Sequence, residues 1–124
     1  MDKSINVLIV DDFATMRRII NTGLKQLGFN NLFEAIDGED ALRILGKQRI
    51  GLIVSDWNMP KINGLELLKA VRADDYLKDI PFLMLTTEGK KENVIQAIQA
   101  GVSNYIVKPF TIETLNAKLE KIFA

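Results

Sequence analysis

Five short apolar runs recur along the chain, and each is followed by a stretch whose apolar residues repeat every three or four positions. The runs lie at residues 6–10, 32–35, 51–56, 81–86 and 104–107, and the periodic stretches at residues 16–27, 41–45, 65–71, 90–100 and 111–123. Spacings of three and four mark one face of a helix, whereas a short continuous apolar run suits a strand buried on both faces. The pattern therefore predicts five βα units.

Repeated βα units predict an α/β fold in which helices cover both faces of a parallel sheet, because the crossovers are right-handed. Five units are too few to close an eight-stranded barrel, which leaves an open, doubly wound, five-stranded sheet with five helices. The flavodoxin-like strand order 2-1-3-4-5 is the most economical arrangement. In that order the first and third strands are neighbours, and ligands bind outside their carboxyl ends.

The length and composition bound the domain organisation and the location. A chain of 124 residues fits one domain, so we expect residues 1–124 to form a single unit without an output domain. Hydrophobic residues make up 48% and charged residues 26%, which argues against disorder. No stretch approaches the roughly 20 apolar residues of a membrane span, and no signal-peptide core is present. We expect a cytoplasmic monomer with no membrane partner.

The charged and reactive side chains narrow the possible chemistry. Sixteen basic and sixteen acidic residues give a formal net charge of zero, so nucleic acid is not an expected partner. The chain has no cysteine and no histidine, which removes disulfides, thiolate and imidazole metal sites, and general-base catalysis by histidine. Oxygen atoms are the metal ligands that remain.

Acidic residues follow the first and third apolar runs. Asp11 and Asp12 end the first run and Asp56 ends the third, so the three carboxylates would meet at adjacent carboxyl ends of the sheet. Like charges so close together are costly unless a cation accompanies them. Thr86 and Lys108 end the fourth and fifth runs, and they would bring a hydroxyl and an ammonium group to the same crevice.

Each of these residues, taken alone, also suits a structural role. Asp12 could cap the first helix, because aspartate accepts hydrogen bonds from the free amides of a first turn. Asp56 could be a turn residue ahead of Pro60, Lys108 a solvated charge and Thr86 a strand end. The combination favours a functional site, because chance rarely places such a set at one sheet edge.

The combined set supports phosphoryl chemistry. Magnesium prefers oxygen ligands, and Asp11 and Asp12 would hold it. Asp56 is the candidate nucleophile, because an aspartate beside such an ion can attack phosphorus to form an aspartyl phosphate. Lys108 would offer a cation to the phosphoryl oxygens and Thr86 a hydrogen-bond donor.

Four motifs resemble those of the receiver domains of two-component signalling, in order and spacing, over the whole chain. They are Val10-Asp11-Asp12-Phe13, residues 55–60 with Asn63-Gly64, Leu85-Thr86, and Val107-Lys108-Pro109-Phe110. Within that family the chain is most similar to the chemotaxis response regulators of the CheY family. That similarity rests on residues 13–20, 57–60, 90–93 and 108–111, together with Ala73 and Tyr105.

The resemblance implies a role for each site residue. Asp56 would accept a phosphoryl group from a chemotaxis histidine kinase. The magnesium ligands would be oxygen atoms of Asp11, Asp12 and Asp56 and the backbone carbonyl of Asn58. Thr86 and Lys108 would contact the phosphoryl group, and the peptide bond after Lys108 would be cis. The protein would thus be a signalling phosphoacceptor that assists its own phosphorylation and dephosphorylation, and not an enzyme.

The resemblance also implies an output surface. Tyr105 would turn inward on activation, and the face formed by the fourth helix, the fifth strand and the fifth helix would dock a peptide of the flagellar motor switch. Binding there would change the direction of flagellar rotation. The implied contributors to that face are Lys90, Lys91, Val94, Tyr105 and Lys118. A dedicated phosphatase is a further candidate partner.

One position departs from the family pattern. Thr87 follows Thr86 where the best-known relatives carry alanine, and it would border the space into which Tyr105 turns. A branched side chain is stiffer and bulkier there, so it would restrict Tyr105 or alter its coupling to phosphorylation.

Glu88 and Asn58 occupy positions that tune the loss of the phosphoryl group in the family.

Several other functions stay open on sequence grounds. The same site would serve a receiver that drains the kinase as a phosphate sink, or one that binds a partner other than the motor. A phosphotransferase or phosphatase with an aspartyl intermediate commonly carries two aspartates separated by one residue, whereas Asp11 and Asp12 are adjacent. A flavodoxin-like electron carrier would need a hydroxyl-rich or glycine-rich phosphate loop, and two aspartates would repel a flavin phosphate.

Overall fold

Strands and helices alternate along the chain in the computed structural model, which describes residues 1–87 and 90–124. The elements are β1 (Asn6–Val10), α1 (Ala14–Gln26), β2 (Asn31–Ala35), α2 (Gly38–Leu45), β3 (Leu52–Asp56), α3 (Gly64–Ala73), β4 (Phe82–Thr86), α4 (Lys91–Gln99), β5 (Asn104–Val107) and α5 (Ile112–Ile122). The five predicted βα units are confirmed, and no end differs from its predicted position by more than three residues.

The strands form one parallel sheet in the order β2-β1-β3-β4-β5. The predicted fold class and strand order are therefore confirmed. Val10 pairs with Ser55, so β3 continues one residue further, to Asp56, beside the end of β1. The pairing of Asp56 with Leu85 and of Thr86 with Val107 brings the ends of β3, β4 and β5 to the same edge.

Each face of the sheet is covered by its own apolar cluster. Alternate residues of a strand point to opposite faces, so β1 sends Val7 and Ile9 to one cluster and Leu8 and Val10 to the other. The first cluster includes buried residues of α1 and α5, and the second includes those of α2 and α3. Burial on both faces explains why the strands read as continuous apolar runs.

The start of α1 differs from one of the structural readings of the sequence. Its N-cap residue is Phe13, which makes no side-chain capping bond, so Asp12 does not cap this helix. By contrast, Asn63 and Glu66 form a capping box at α3, and Asp37 and Thr111 cap α2 and α5. The carboxylate of Asp12 is therefore available for another role.

No helix within the described part of the chain combines the length and the apolar character that crossing a bilayer requires.

Candidate functional site

Three carboxylates converge at the carboxyl ends of β1 and β3. Asp11, Asp12 and Asp56 each place an oxygen within 4.8 Å of the others. Asp11 and Asp56 are buried, with 1% and 6% of their surface exposed, whereas Asp12 is exposed at the rim. The predicted meeting of these side chains is confirmed. It follows from the parallel register, because neighbouring strands that end together bring their following residues into one crevice.

Lys108 supplies the positive charge of the cluster. Its ammonium Nζ donates to Asp56 Oδ1 at 2.9 Å and lies 3.5 Å from Asp11 Oδ2, with 12% of the side chain exposed. The backbone of Lys108 is tied to β4, since its amide donates to the carbonyl of Thr86 at 2.7 Å. The peptide bond between Lys108 and Pro109 is cis, as the resemblance implied. One cation thus faces two buried carboxylates.

Asp11 carries the clearest electrostatic signature of the site. Burial raises the pKa of its carboxyl above the ordinary value, the negative charges of Asp56 and Asp12 raise it further, and the Phe13 amide and the Lys108 ammonium act in the opposite direction. Asp11 Oδ1 accepts a hydrogen bond from the Phe13 amide at 2.9 Å. Asp11 Oδ2, although buried, accepts no hydrogen bond from the described residues.

This set of donors fits a hard divalent cation. An additional positive charge would relieve the repulsion among the three carboxylates and would coordinate Asp11 Oδ2, which accepts no hydrogen bond from the described residues. All the side-chain donors are oxygen atoms, and one of the three aspartates is open to water. Magnesium matches both features, since it prefers oxygen ligands and retains bound water.

The remaining residues of the predicted site lie around this cluster. Thr86 is buried at the end of β4, and Thr87 is exposed immediately after it. Asn58 is exposed two residues beyond the end of β3. Trp57 is half-buried, and its amide donates to the carbonyl of Leu85 at 2.9 Å. Glu88 lies outside the described residues.

The predicted output residues lie on α4, β5 and α5 and at the N-cap of α4. Lys90 and Lys91 are exposed at the start of α4, and Val94 is half-buried one turn later. Tyr105 is half-buried in β5, and the Nζ of Lys118 lies 5.1 Å from the centre of its ring. This distance places the ammonium within cation–π range of the aromatic ring.

Two residues that contact the site were missed by the sequence reasoning. Arg17 donates from its guanidinium to the carbonyl of Asp11 at 2.7 Å, and the hydroxyl of Ser55 donates to the carbonyl of Asp56 at 3.0 Å. Both bonds go to main-chain carbonyl oxygens, which every residue has, so a sequence motif does not reveal them. Arg17 and Ser55 lie in residues 13–20 and 55–60, on which the family resemblance rested, but that resemblance assigned neither of them a role.

Comparison with known proteins connects this geometry to a family. The chain matches the response regulator receiver domain family over residues 7–120. It is 55% identical to the chemotaxis protein CheY-3 of Vibrio cholerae over 123 residues, which cover 99% of this chain and 95% of that protein.

Solved structures agree with the sequence relationship. The chemotaxis response regulator CheY4 of Vibrio cholerae is similar with a TM-score of 0.89 and 38% identity, over 96% of this chain and 98% of that one. The receiver domain of a sensor histidine kinase from Pseudomonas aeruginosa, described with a magnesium ion coordinated in its active-site cleft, has a TM-score of 0.84 and 25% identity. That match covers 98% of this chain and 99% of that one. The chain therefore belongs to the response regulator receiver domain family, and it is a CheY-like chemotaxis receiver.

Proposed function

We propose that the protein is a magnesium-dependent phosphoacceptor in chemotaxis signalling, with Asp56 as the phosphorylated residue. The observation that carries this proposal is the position of Asp56 between a cation and two acidic neighbours. Its Oδ1 accepts a hydrogen bond from Lys108 at 2.9 Å, and the carboxylates of Asp11 and Asp12 lie within 4.8 Å. A carboxylate in this setting is held as an oxygen nucleophile beside groups that can bind a metal and a phosphoryl oxygen.

The proposed reaction transfers one phosphoryl group. An oxygen of Asp56 forms a bond to phosphorus as the bond between phosphorus and a histidine nitrogen of the kinase breaks, and the histidine departs with that electron pair. The product is a mixed anhydride of the aspartate carboxyl and phosphate. Hydrolysis later breaks the bond between phosphorus and the carboxylate oxygen, which returns Asp56 and releases inorganic phosphate.

The other residues of the site have distinct roles in this proposal. Asp11, Asp12 and Asp56, with the backbone carbonyl of Asn58, would hold magnesium, which when bound offsets the charge of the phosphoryl oxygens. Lys108 pairs with Asp56 before transfer and with a phosphoryl oxygen after it. The hydroxyl of Thr86 donates to another phosphoryl oxygen.

The output surface of the protein is the face that the partner binds, and its residues are Lys90, Lys91, Val94, Tyr105 and Lys118. Phosphorylation replaces the single negative charge of the Asp56 carboxylate by a phosphoryl group with up to about two negative charges and three acceptor oxygens. These oxygens take over the bond from Lys108 and recruit Thr86, which moves the backbone that follows β4 and β5. Tyr105 then turns inward, away from Lys118, and the flagellar motor switch binds the altered face. Thr87 borders this movement and sets how readily it occurs.

The partners and the location follow from this assignment. A chemotaxis histidine kinase would donate the phosphoryl group in the cytoplasm to a monomeric receiver, and a phosphatase would shorten the signal. The 55% identity to a chemotaxis protein supports the motor switch as the target. A phosphate sink remains the second candidate, because such a receiver would have the same phosphoryl site and would differ only in its output face.

The phosphoacceptor is tested by following Trp57, which is the only tryptophan and adjoins Asp56. Magnesium is titrated first, and acetyl phosphate is then added as a small phosphoryl donor. We expect a fluorescence response to both in the wild type and no donor response in Asp56→Asn, with mass spectrometry detecting a phosphoryl group on the wild type alone. Phosphorylation of Asp56→Asn to the wild-type level would contradict the assignment.

The output is tested by binding to the isolated motor switch protein with and without acetyl phosphate and magnesium. We expect the phosphorylated wild type to bind at least about tenfold more tightly, which corresponds to about 1.4 kcal/mol of differential interaction. Lys91→Ala should weaken that binding and leave phosphorylation unchanged. Equal affinity of both forms, with normal phosphorylation of Asp56, would favour the phosphate sink.

A further inference from the structure

Arg17 reaches back from the first turn of α1 to the acidic end of β1. Its Nη1 donates to the main-chain carbonyl of Asp11 at 2.7 Å, and its Nε donates to Glu34 Oε1 on β2 at 3.1 Å. The other carboxylate oxygen of Glu34 accepts a weaker hydrogen bond, of 3.3 Å, from Asn21. Only 16% of the Arg17 side chain is exposed, so the guanidinium is held in place from both sides.

The carbonyl that Arg17 binds belongs to the most deeply buried residue of the acidic cluster. Asp11 lies one residue beyond the end of β1, where a buried carbonyl must find a partner outside the strand or lose the free energy of a hydrogen bond. The amide of Asp11 donates to the carbonyl of Ala35 at 3.1 Å, and its Oδ1 accepts from the amide of Phe13. Arg17 supplies the hydrogen bond to the main-chain carbonyl of this residue.

We propose that Arg17 is a positioning residue for the acidic cluster. It fixes the main chain at Asp11, so that the carboxylates of Asp11 and Asp12 keep the arrangement that binds magnesium. Glu34 has a supporting role, because its carboxylate orients the guanidinium. This inference rests on the proposed function, of which magnesium binding is a part.

Arg17 acts on the main chain of Asp11, because its guanidinium donates to the carbonyl of that residue and not to its carboxylate. Residues that orient metal ligands without touching the metal generally matter for affinity, and their removal typically costs about 10-fold to 100-fold. We expect a loss of magnesium affinity near the lower end of this range, because Arg17 bonds to the main chain of the ligand residue and not to the ligand carboxylate itself.

Calorimetric titration of magnesium into Arg17→Met and Arg18→Met tests the proposal. Methionine keeps much of the length and apolar character of the side chain but cannot donate a hydrogen bond, and Arg18 is the exposed neighbour on the same helix. We expect the Kd for magnesium to rise about tenfold in Arg17→Met and to stay at the wild-type value in Arg18→Met. Glu34→Gln, which keeps the Asp11 bond but weakens the ion pair, should show a smaller rise.

A second measurement needs no metal. Hydrogen exchange of the Phe13 amide, followed in excess EDTA, reports whether the bond to Asp11 Oδ1 stays closed. We expect faster exchange at this amide in Arg17→Met than in Arg18→Met. Exchange in β4 should be unchanged in both variants, because β3 separates β4 from β1. Urea unfolding in EDTA separates a local effect from a global loss of stability.

The outcomes distinguish this inference from the proposed function. If the wild type does not bind magnesium, the proposed function itself is contradicted. If the wild type binds magnesium and Arg17→Met binds it with the same Kd, the positioning role is overturned and the proposed function is intact. The same conclusion follows if the only change in Arg17→Met is a lower global stability. If Arg17→Met does not fold, an unchanged Kd in Arg17→Ala, which also lacks a donor to the Asp11 carbonyl, would likewise overturn it.

Discussion

Asp11 is buried more deeply than the other two carboxylates of the cluster, and its Oδ2 lies 3.5 Å from the ammonium of Lys108. Its raised pKa, caused first by burial, means that the folded state holds a proton on this residue more tightly than the unfolded chain does. The free energy of unfolding therefore falls as the pH rises through the interval between the ordinary and the raised pKa. At neutral pH, a charged Asp11 opposes folding.

Asp11→Asn should consequently be more stable than the wild type at pH 7 in the presence of EDTA. The gain should be about 1 kcal/mol, because the substitution removes a buried charge while Asp56 keeps its bond to Lys108. Urea unfolding measures it, and Asp12→Asn is the matched control. Because Asp12 is exposed, its substitution should change the stability by less than about 0.5 kcal/mol. A destabilised Asp11→Asn would contradict this account.

The junction between β3 and α3 shows how one element constrains the site. A Cβ atom added to Gly64, the first residue of α3, would lie 2.3 Å from the carbonyl oxygen of Asp56 and 2.8 Å from the sulfur of Met84. The amide of Gly64 donates to the carbonyl of Trp57 at 2.8 Å. The start of α3 therefore packs against the backbone of Asp56, the proposed phosphoacceptor, and only glycine fits without displacement.

Gly64→Ala should lower the free energy of unfolding by about 2 to 3 kcal/mol, because the methyl group would push against backbone atoms that cannot move freely. It should also slow phosphorylation by acetyl phosphate, since the displaced atoms adjoin Asp56. Chemical unfolding and phosphorylation rates measure the two effects. Gly46→Ala is the control, because its Cβ would find its nearest neighbours at 3.5 Å and the φ angle there is −76°. Equal stability of the two variants would contradict the close approach.

The proposed magnesium site depends on the whole sheet. The carboxylates come from β1 and β3, and Lys108 comes from the end of β5, so the arrangement exists only when the parallel sheet has formed. A ligand that binds the native state alone stabilises it by mass action. Binding and global stability are therefore linked properties of this fold.

Magnesium should raise the free energy of unfolding by about 2.7 kcal/mol at a concentration 100 times its Kd, with the denaturant slope unchanged. Urea unfolding at a series of magnesium concentrations measures this, and the gain should increase with the logarithm of the concentration. Asp12→Asn should lose most of the effect while retaining its stability in EDTA. The same gain in that variant would place the ion elsewhere.

Sequence patterns alone predicted the fold and the charged residues of the cluster. Apolar runs buried on both faces and helical periodicity are local patterns, so the five units and the strand order followed from them. Asp11, Asp12, Asp56 and Lys108 followed as well, because strand ends in a parallel sheet share one edge.

Tertiary structure decided the contacts between side chains and main-chain atoms. Asp12 was equally suited to capping α1, and only the structure shows that the helix begins at Phe13 without a side-chain cap. The bond from Arg17 to the carbonyl of Asp11 and the fit of Gly64 against Asp56 depend on distances of a few ångströms between elements. Local sequence patterns determine which elements form, whereas such distances are set by how the elements pack together.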